Sequence, residues 1–206
     1  MNLVKAMATV AGMTGLSRIA GFVRDMMTAA ILGAGPVADA FFIALKLPNL
    51  FRRITAEGAF SVSFVPLYSK ALEEEGEEAA DRFAGNAFMV MLSILSVFTI
   101  LAVIFMPYVL YVIAPGFADD PVRYSYSVEF SRISFPYLLL MSLTALIGGV
   151  LNAHHRFAPF AFVPTLFNLS LIAALLLSSY FPTPGHAMSW GLLISGFLQL
   201  AFLWLC

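Results

Sequence analysis

Long apolar runs, separated by short polar joints or joints rich in glycine and proline, dominate the pattern of this chain. A helix needs about 20 mostly apolar residues to cross a hydrocarbon core roughly 30 Å thick. The pattern predicts six such helices, at approximately 3–31, 37–68, 83–113, 123–152, 158–180 and 185–206. Runs such as 89–106 do not alternate between apolar and polar residues, as the strands of a membrane β-barrel would.

Composition supports the membrane interpretation. Of 206 residues 61% are hydrophobic and 11% charged, whereas a soluble domain carries about 25% charged residues. The net charge of −1 provides no field that would attract nucleic acid. One cysteine, a pair of adjacent histidines without neighbouring carboxylates and one isolated histidine predict no metal site, and no nucleotide-binding or hydrolase motif is present. We therefore predict an all-α integral membrane protein that is not an enzyme and has no nucleic-acid partner.

Positive residues predict the orientation. With the N-terminus in the cytoplasm, the inner side holds Lys5, Lys70, Arg82 and Arg156, and the outer side holds Arg123 alone. The acidic run 73–81 is then a hydrated inner segment, either an irregular loop or helical. The last span ends without a polar tail, which favours a piece of a longer protein.

Charged residues inside the first predicted span lie on one side of the helix. At 100° per residue, an arc of about 120° contains Ser17, Arg18, Gly21, Arg24, Asp25 and Thr28. Charges at membrane depth usually face a cavity or a partner. The alternative to a cavity is a structural pair between Asp25 and one of the arginines, which leaves the other arginine unexplained.

The second predicted span also carries charges. On an unbroken helix an arc of about 80° contains Asp39, Lys46, Asn49, Arg53 and Glu57, while Arg52 points away. Pro48 kinks this helix, so the wheel does not fix positions beyond it. The alternative for its basic residues is snorkelling to a membrane interface. In the fourth span, the spacing of Glu129 and Arg132 predicts a pair on one face, and a cavity role is the alternative.

Together the two spans predict a cationic, water-filled cavity. Guanidinium groups bind phosphate through parallel hydrogen bonds and remain charged at any accessible pH. A substrate that carries phosphate groups is therefore the best match to this cavity.

Seven short motifs occur along the chain: GLSRIAGFVRD at 15–25, ADAFF at 38–42, PNLFRR at 48–53, EGAFS at 57–61, FVP at 64–66, GGVLNA at 148–153 and FA at 157–158. Together these motifs resemble the lipid II flippase family (MurJ, also called MviN). The similarity extends over essentially the whole chain. It implies a member of the multidrug/oligosaccharidyl-lipid/polysaccharide exporter superfamily, in which two six-helix lobes face each other. This chain would be the N-terminal lobe, and its partner would be the C-terminal lobe, absent from this chain.

The resemblance also implies functional residues. The family's substrate-binding arginines match Arg18, Arg24 and Arg52, so the family favours Arg52 where the helical wheel favours Arg53. Asp39 and Lys46 match charged family positions, and Glu57 matches one near the gate; Ser17, Asp25 and Arg53 complete the predicted cavity charges.

The implied function is movement of a lipid-linked peptidoglycan precursor across the bacterial inner membrane by alternating access. The precursor's pyrophosphate would bind the cationic cavity. No cofactor is expected in this chain, and a membrane potential or coupling ion would act through the absent lobe. The alternatives are another exporter of the superfamily, for a lipid-linked polysaccharide or a drug, and a membrane scaffold that transports nothing.

Overall fold

The computed structural model describes the backbone of residues 3–52 and 61–206, and the side chains of residues 8–51 and 63–206. Across these residues every regular element is helical. The nine α-helices found there are α1 Leu3–Ile31, α2 Pro36–Arg52, α3 Ser61–Glu74, α4 Glu77–Ile104, α5 Met106–Ile113, α6 Pro121–Ser134, α7 Tyr137–Ala153, α8 Phe157–Leu176 and α9 Pro184–Trp204. Short 3-10 turns occupy Pro115–Phe117 and Ser178–Tyr180. The predicted all-α class is confirmed for this part of the chain.

The joint between α1 and α2 shows why the chain turns where the sequence predicts. Gly33 and Gly35 have φ values of 66° and 141°, a region of backbone space that favours glycine. Pro36 then starts α2, where its fixed φ suits the first helical turn and its missing N–H costs nothing.

The predicted spans and the observed helices agree in part. Within the described residues, four segments are long and apolar enough to cross a membrane: Glu77–Ile104, Pro121–Ala153, Phe157–Leu176 and Pro184–Trp204. The second of these joins α6 and α7 across a break at Phe135 and Pro136. The six-span count stays a prediction, and residues 53–60 of the predicted second span lie outside the described part.

The acidic run is mostly helical, the second of its two predicted forms, because residues 73 and 74 end α3 and residues 77–81 begin α4. Helix α4 begins at Glu77 rather than near residue 83, so Glu77 and Glu78 belong to its first turn. Carboxylates are favourable there because they complement the positive end of the helix dipole.

Close helix packing places α1 along α8, α8 along α9, and α2 between α6 and α9. Gly191 of α9 marks the tightest approach to α8, because a Cβ atom built there would lie 2.5 Å from the Cβ of Ala174. Small residues of this kind let membrane helices approach closely. The α1–α8 contact is the one that organises the candidate site.

Large apolar side chains are exposed along whole helix faces. On α4 the exposed residues are Met89, Val90, Ile94, Val97, Ile100, Leu101 and Ile104. On α1, Ile19 and Phe22 are each 66% exposed. Such continuous surfaces are typical of contact with lipid or with another protein rather than with water.

Candidate functional site

Three hydrogen bonds hold the guanidinium group of Arg24. Its Nε and Nη2 atoms donate to Oδ1 of Asp25 at 3.1 and 2.6 Å, and Nη1 donates to Oδ1 of Asn168 at 2.8 Å. A guanidinium group has five N–H donors, so two remain for a ligand. The Arg24–Asp25 pair that the sequence offered as a structural alternative is therefore present.

Exposure differs strongly between the two members of this pair. The Arg24 side chain is 22% exposed, whereas that of Asp25 is 68% exposed. The ring of Phe167 lies beside the guanidinium, 5.6 Å from Cζ, in cation–π geometry. Consecutive residues of α8, Phe167 and Asn168, thus fix Arg24 from one side, and Asp25 contacts it from the more exposed side.

Contact with α8 divides the polar arc of α1. Ser17, Gly21 and Arg24 are half-buried and Thr28 is buried, whereas Arg18 and Asp25 are exposed. The helical wheel grouped all six residues on one wall, but a wheel contains no neighbouring helix and could not separate them. Arg18 makes no hydrogen bond or ion pair with another side chain of the described part, so neighbouring side chains hold Arg24 but not Arg18.

The predicted residues of α2 occupy three different settings. Asp39, in the first turn, lies 3.3 Å from Arg123 of α6. Lys46 is exposed on the same face as Phe42 and Leu50. The side chain of Asn49 donates to the carbonyl of Leu45 at 2.9 Å, within its own helix.

The remaining predicted residues, at positions 52, 53 and 57, lie wholly or partly outside the described residues. Arg52 is the final residue of α2, and its side chain lies outside the described part. Arg53 and Glu57 lie outside it altogether. A cavity that gathers Arg18, Arg24 and Arg52, and the choice of Arg52 over Arg53, therefore stay predictions.

The predicted pair between Glu129 and Arg132 on α6 is wrong, because each side chain has a different partner. Arg132 donates from Nε to the carbonyl of Val103 at 3.2 Å, and Glu129 lies 3.0 Å from Nε2 of His186 in α9. His186 also contacts Oγ1 of Thr183 through Nδ1, at 2.8 Å. Spacing along one helix predicted the pair, but acceptors and donors on neighbouring helices satisfy both side chains.

Sequence reasoning missed Asn168 because a single amide in an apolar helix carries no motif. One feature of the sequence could have indicated its role: α8 contains no other Asn, Gln, Asp, Glu, Lys or Arg. A buried amide in such a helix must find a hydrogen-bond partner on another helix.

Comparison with known proteins decides the family. A family model described as lipid II flippase MurJ matches residues 28–206. The chain belongs to the MurJ family. A probable lipid II flippase MurJ of Rhizobium meliloti is 46% identical over 99% of this chain, and the lipid II flippase MurJ of Burkholderia cenocepacia is 36% identical over 97% of it.

A solved structure also matches. Lipid II flippase MurJ in an inward closed conformation superimposes with a TM-score of 0.78 and 26% identity, covering 93% of this chain. The chain spans 39% of both relatives and 40% of the solved chain. Membership of the MurJ family and the four apolar helices identify a multi-pass membrane protein.

Proposed function

We propose that this chain forms the N-terminal lobe of a lipid II flippase in the bacterial cytoplasmic membrane, with its N-terminus in the cytoplasm. In this proposal Arg24 binds the pyrophosphate of the lipid-linked precursor. The observation that carries it is the geometry of Arg24, a partly buried guanidinium that three hydrogen bonds hold while two N–H donors remain.

Arg24 and Arg18 suit a ligand that carries two phosphates. They are six residues apart on α1, which corresponds to about 9 Å along a helix, and their long side chains can converge on one headgroup. Arginine binds phosphate through parallel N–H···O bonds, which adds orientation to the attraction between charges. The family resemblance adds Arg52 as a third arginine.

In this proposal Asp25 weakens phosphate binding at Arg24 but does not prevent it. Its carboxylate engages Nε and Nη2, and it is largely exposed, so an arriving phosphate can displace it from Nη2. Competition of this kind weakens binding enough for release, which a transporter needs as much as capture. Rocking of this lobe against a second one, driven by a membrane potential or a coupling ion acting there, would expose the site alternately to the two sides.

Direct binding tests the assignment of Arg24. The 206-residue chain in phosphatidylcholine nanodiscs is titrated with farnesyl pyrophosphate, and with farnesyl monophosphate for comparison. Losing two charged hydrogen bonds predicts at least tenfold weaker pyrophosphate binding for Arg24→Ala. Arg82→Ala is the matched control, because Arg82 pairs with Glu78 on an exposed helix face. Equal binding by Arg24→Ala and the unchanged chain would reject the site.

Flipping is tested in a chimera. This chain replaces the matching segment of the Rhizobium meliloti relative in cells depleted of their own flippase, and precursor accessible at the outer leaflet is measured. The unchanged chimera should restore accessibility, Arg18→Ala and Arg24→Ala should reduce it, and Arg82→Ala should not. A chimera that reaches the membrane in normal amounts but restores nothing contradicts the proposal.

A further inference from the structure

Asn168 is a buried amide in the middle of α8, a helix that has no other amide and no charged side chain. Only 6% of the residue is exposed, and the neighbouring positions of α8 are Phe167 and Leu169. Burying an amide is costly unless both of its ends are hydrogen-bonded, so a position like this needs a reason. The reason lies across the helix interface, on α1.

Both ends of the Asn168 side chain are used there. Oδ1 accepts from Nη1 of Arg24 at 2.8 Å, and Nδ2 donates to the carbonyl of Ser17 at 3.0 Å. The Ser17 hydroxyl lies 3.5 Å from the same Nδ2 atom. A carbonyl can only accept and a guanidinium can only donate, so the orientation of the amide is determined by its partners.

Gly21 makes room for this bridge. It lies between Ser17 and Arg24 on α1, and a Cβ atom built on it would be 3.4 Å from Nδ2 of Asn168. A side chain larger than a methyl group there would push the amide away. The three α1 residues at 17, 21 and 24 lie on one helix face, which is why one side chain of α8 can contact all of them.

We propose that Asn168 is a positioning residue for Arg24, which holds the guanidinium in the orientation that binds the pyrophosphate. This inference rests on the proposed function. A neutral amide suits the task because it fixes Nη1 without cancelling the positive charge, as a carboxylate at that position would. Fixing a long, flexible side chain before the ligand arrives removes an entropic cost from binding.

The bridge predicts a specific pattern of variants. Asn168→Leu removes both hydrogen bonds and should weaken farnesyl pyrophosphate binding about fivefold to tenfold, the effect of one or two lost hydrogen bonds. Asn168→Asp retains the acceptor for Arg24 but adds a negative charge, so it should also bind pyrophosphate more weakly. Ser170→Ala is the matched control on α8, because the Ser170 hydroxyl only bonds the Leu166 carbonyl within its own helix.

A double-mutant cycle distinguishes positioning from packing. If Asn168 acts through Arg24, then Arg24→Ala with Asn168→Leu should bind no more weakly than Arg24→Ala alone. A purely structural role would weaken binding by the same factor in both backgrounds and would overturn the inference. The thermal unfolding midpoint of each variant is measured in parallel, and Asn168→Ala, which also removes both hydrogen bonds without adding a charge, supplies the cycle if Asn168→Leu fails to fold.

The outcomes separate the two proposals. If Arg24→Ala leaves pyrophosphate binding unchanged, the proposed function fails. If Arg24→Ala weakens binding while Asn168→Leu and Asn168→Asp do not, the site stands and the positioning role of Asn168 is wrong.

Discussion

Arg123 and Asp39 join the first turns of α6 and α2 through an ion pair of 3.3 Å between Nη2 and Oδ2. Asp120, the N-cap of α6, lies 3.7 Å from Nε of the same arginine and accepts from the backbone N–H groups of Val122 and Arg123. The ring of Phe117 lies 5.5 Å from its Cζ. Arg123 therefore balances the negative charge of Asp39 at this end of the bundle.

Exchanging the two charges tests this pair. Arg123→Asp alone should lower the thermal unfolding midpoint, because it places a third carboxylate beside Asp39 and Asp120. Asp39→Arg added to it should recover part of the loss. Both side chains are partly exposed, at 33% and 45%, so the coupling is expected to be about 0.5 kcal/mol. No recovery in the double variant would show that the two charges do not interact.

Arg132 compensates for a proline on a neighbouring helix. Pro107 has no N–H to donate to the carbonyl of Val103, four residues earlier, and Arg132 donates to that carbonyl at 3.2 Å instead. Arg132→Ala should therefore destabilise the fold by about 0.5–1.5 kcal/mol, the net contribution of one hydrogen bond on an exposed face. Unfolding in detergent, followed by circular dichroism, measures it.

The companion variant is Pro107→Ala, which restores an N–H at that position. In its background Arg132→Ala should cost less than in the original chain, because the Val103 carbonyl at the end of α4 then has a possible backbone donor four residues later, in the first turn of α5. An equal cost in both backgrounds would show that Arg132 matters for some other reason.

Gly21 allows a graded test of the α1–α8 contact. A Cβ atom 3.4 Å from Nδ2 of Asn168 is in ordinary van der Waals contact, so Gly21→Ala should retain pyrophosphate binding within about twofold. Gly21→Val should displace Asn168 and weaken binding about fivefold or more, as the loss of its hydrogen bond to Arg24 would. Binding by Gly21→Val equal to that of the unchanged chain would contradict the close contact.

Gly191 and Ala174 form the tightest contact between α8 and α9. Gly191→Ala would place two Cβ atoms 2.5 Å apart, so the helices must separate, at a cost of about 1–3 kcal/mol. Ala174→Gly removes the opposing atom and should restore most of the lost stability when combined with it. The thermal unfolding midpoints of both single variants and of the double variant measure this recovery. If the losses of stability simply add in the double variant, the two residues are not in direct contact.

The sequence by itself determined the helical, membrane-crossing character of this protein and its family. Apolar runs predict α4, α8 and α9, because helix formation in lipid depends on local composition and on hydrogen bonds within each segment. The turn at Gly33 and Gly35 is likewise local. The pairing of Arg24 with Asp25 could also be predicted from the sequence, because the two residues are adjacent.

Only the tertiary structure decided which side chains these charges meet. Asn168 is 144 residues from Arg24, and no periodicity within α1 or α8 indicates that they touch. The same holds for Glu129 with His186 and for Arg132 with the Val103 carbonyl, which replaced the expected pair within α6. A helical wheel gives the direction of a side chain but not the helix that lies there. Close packing at Gly21 and Gly191 determines which helix lies beside each face. This packing depends on how segments that are distant in the sequence fit together.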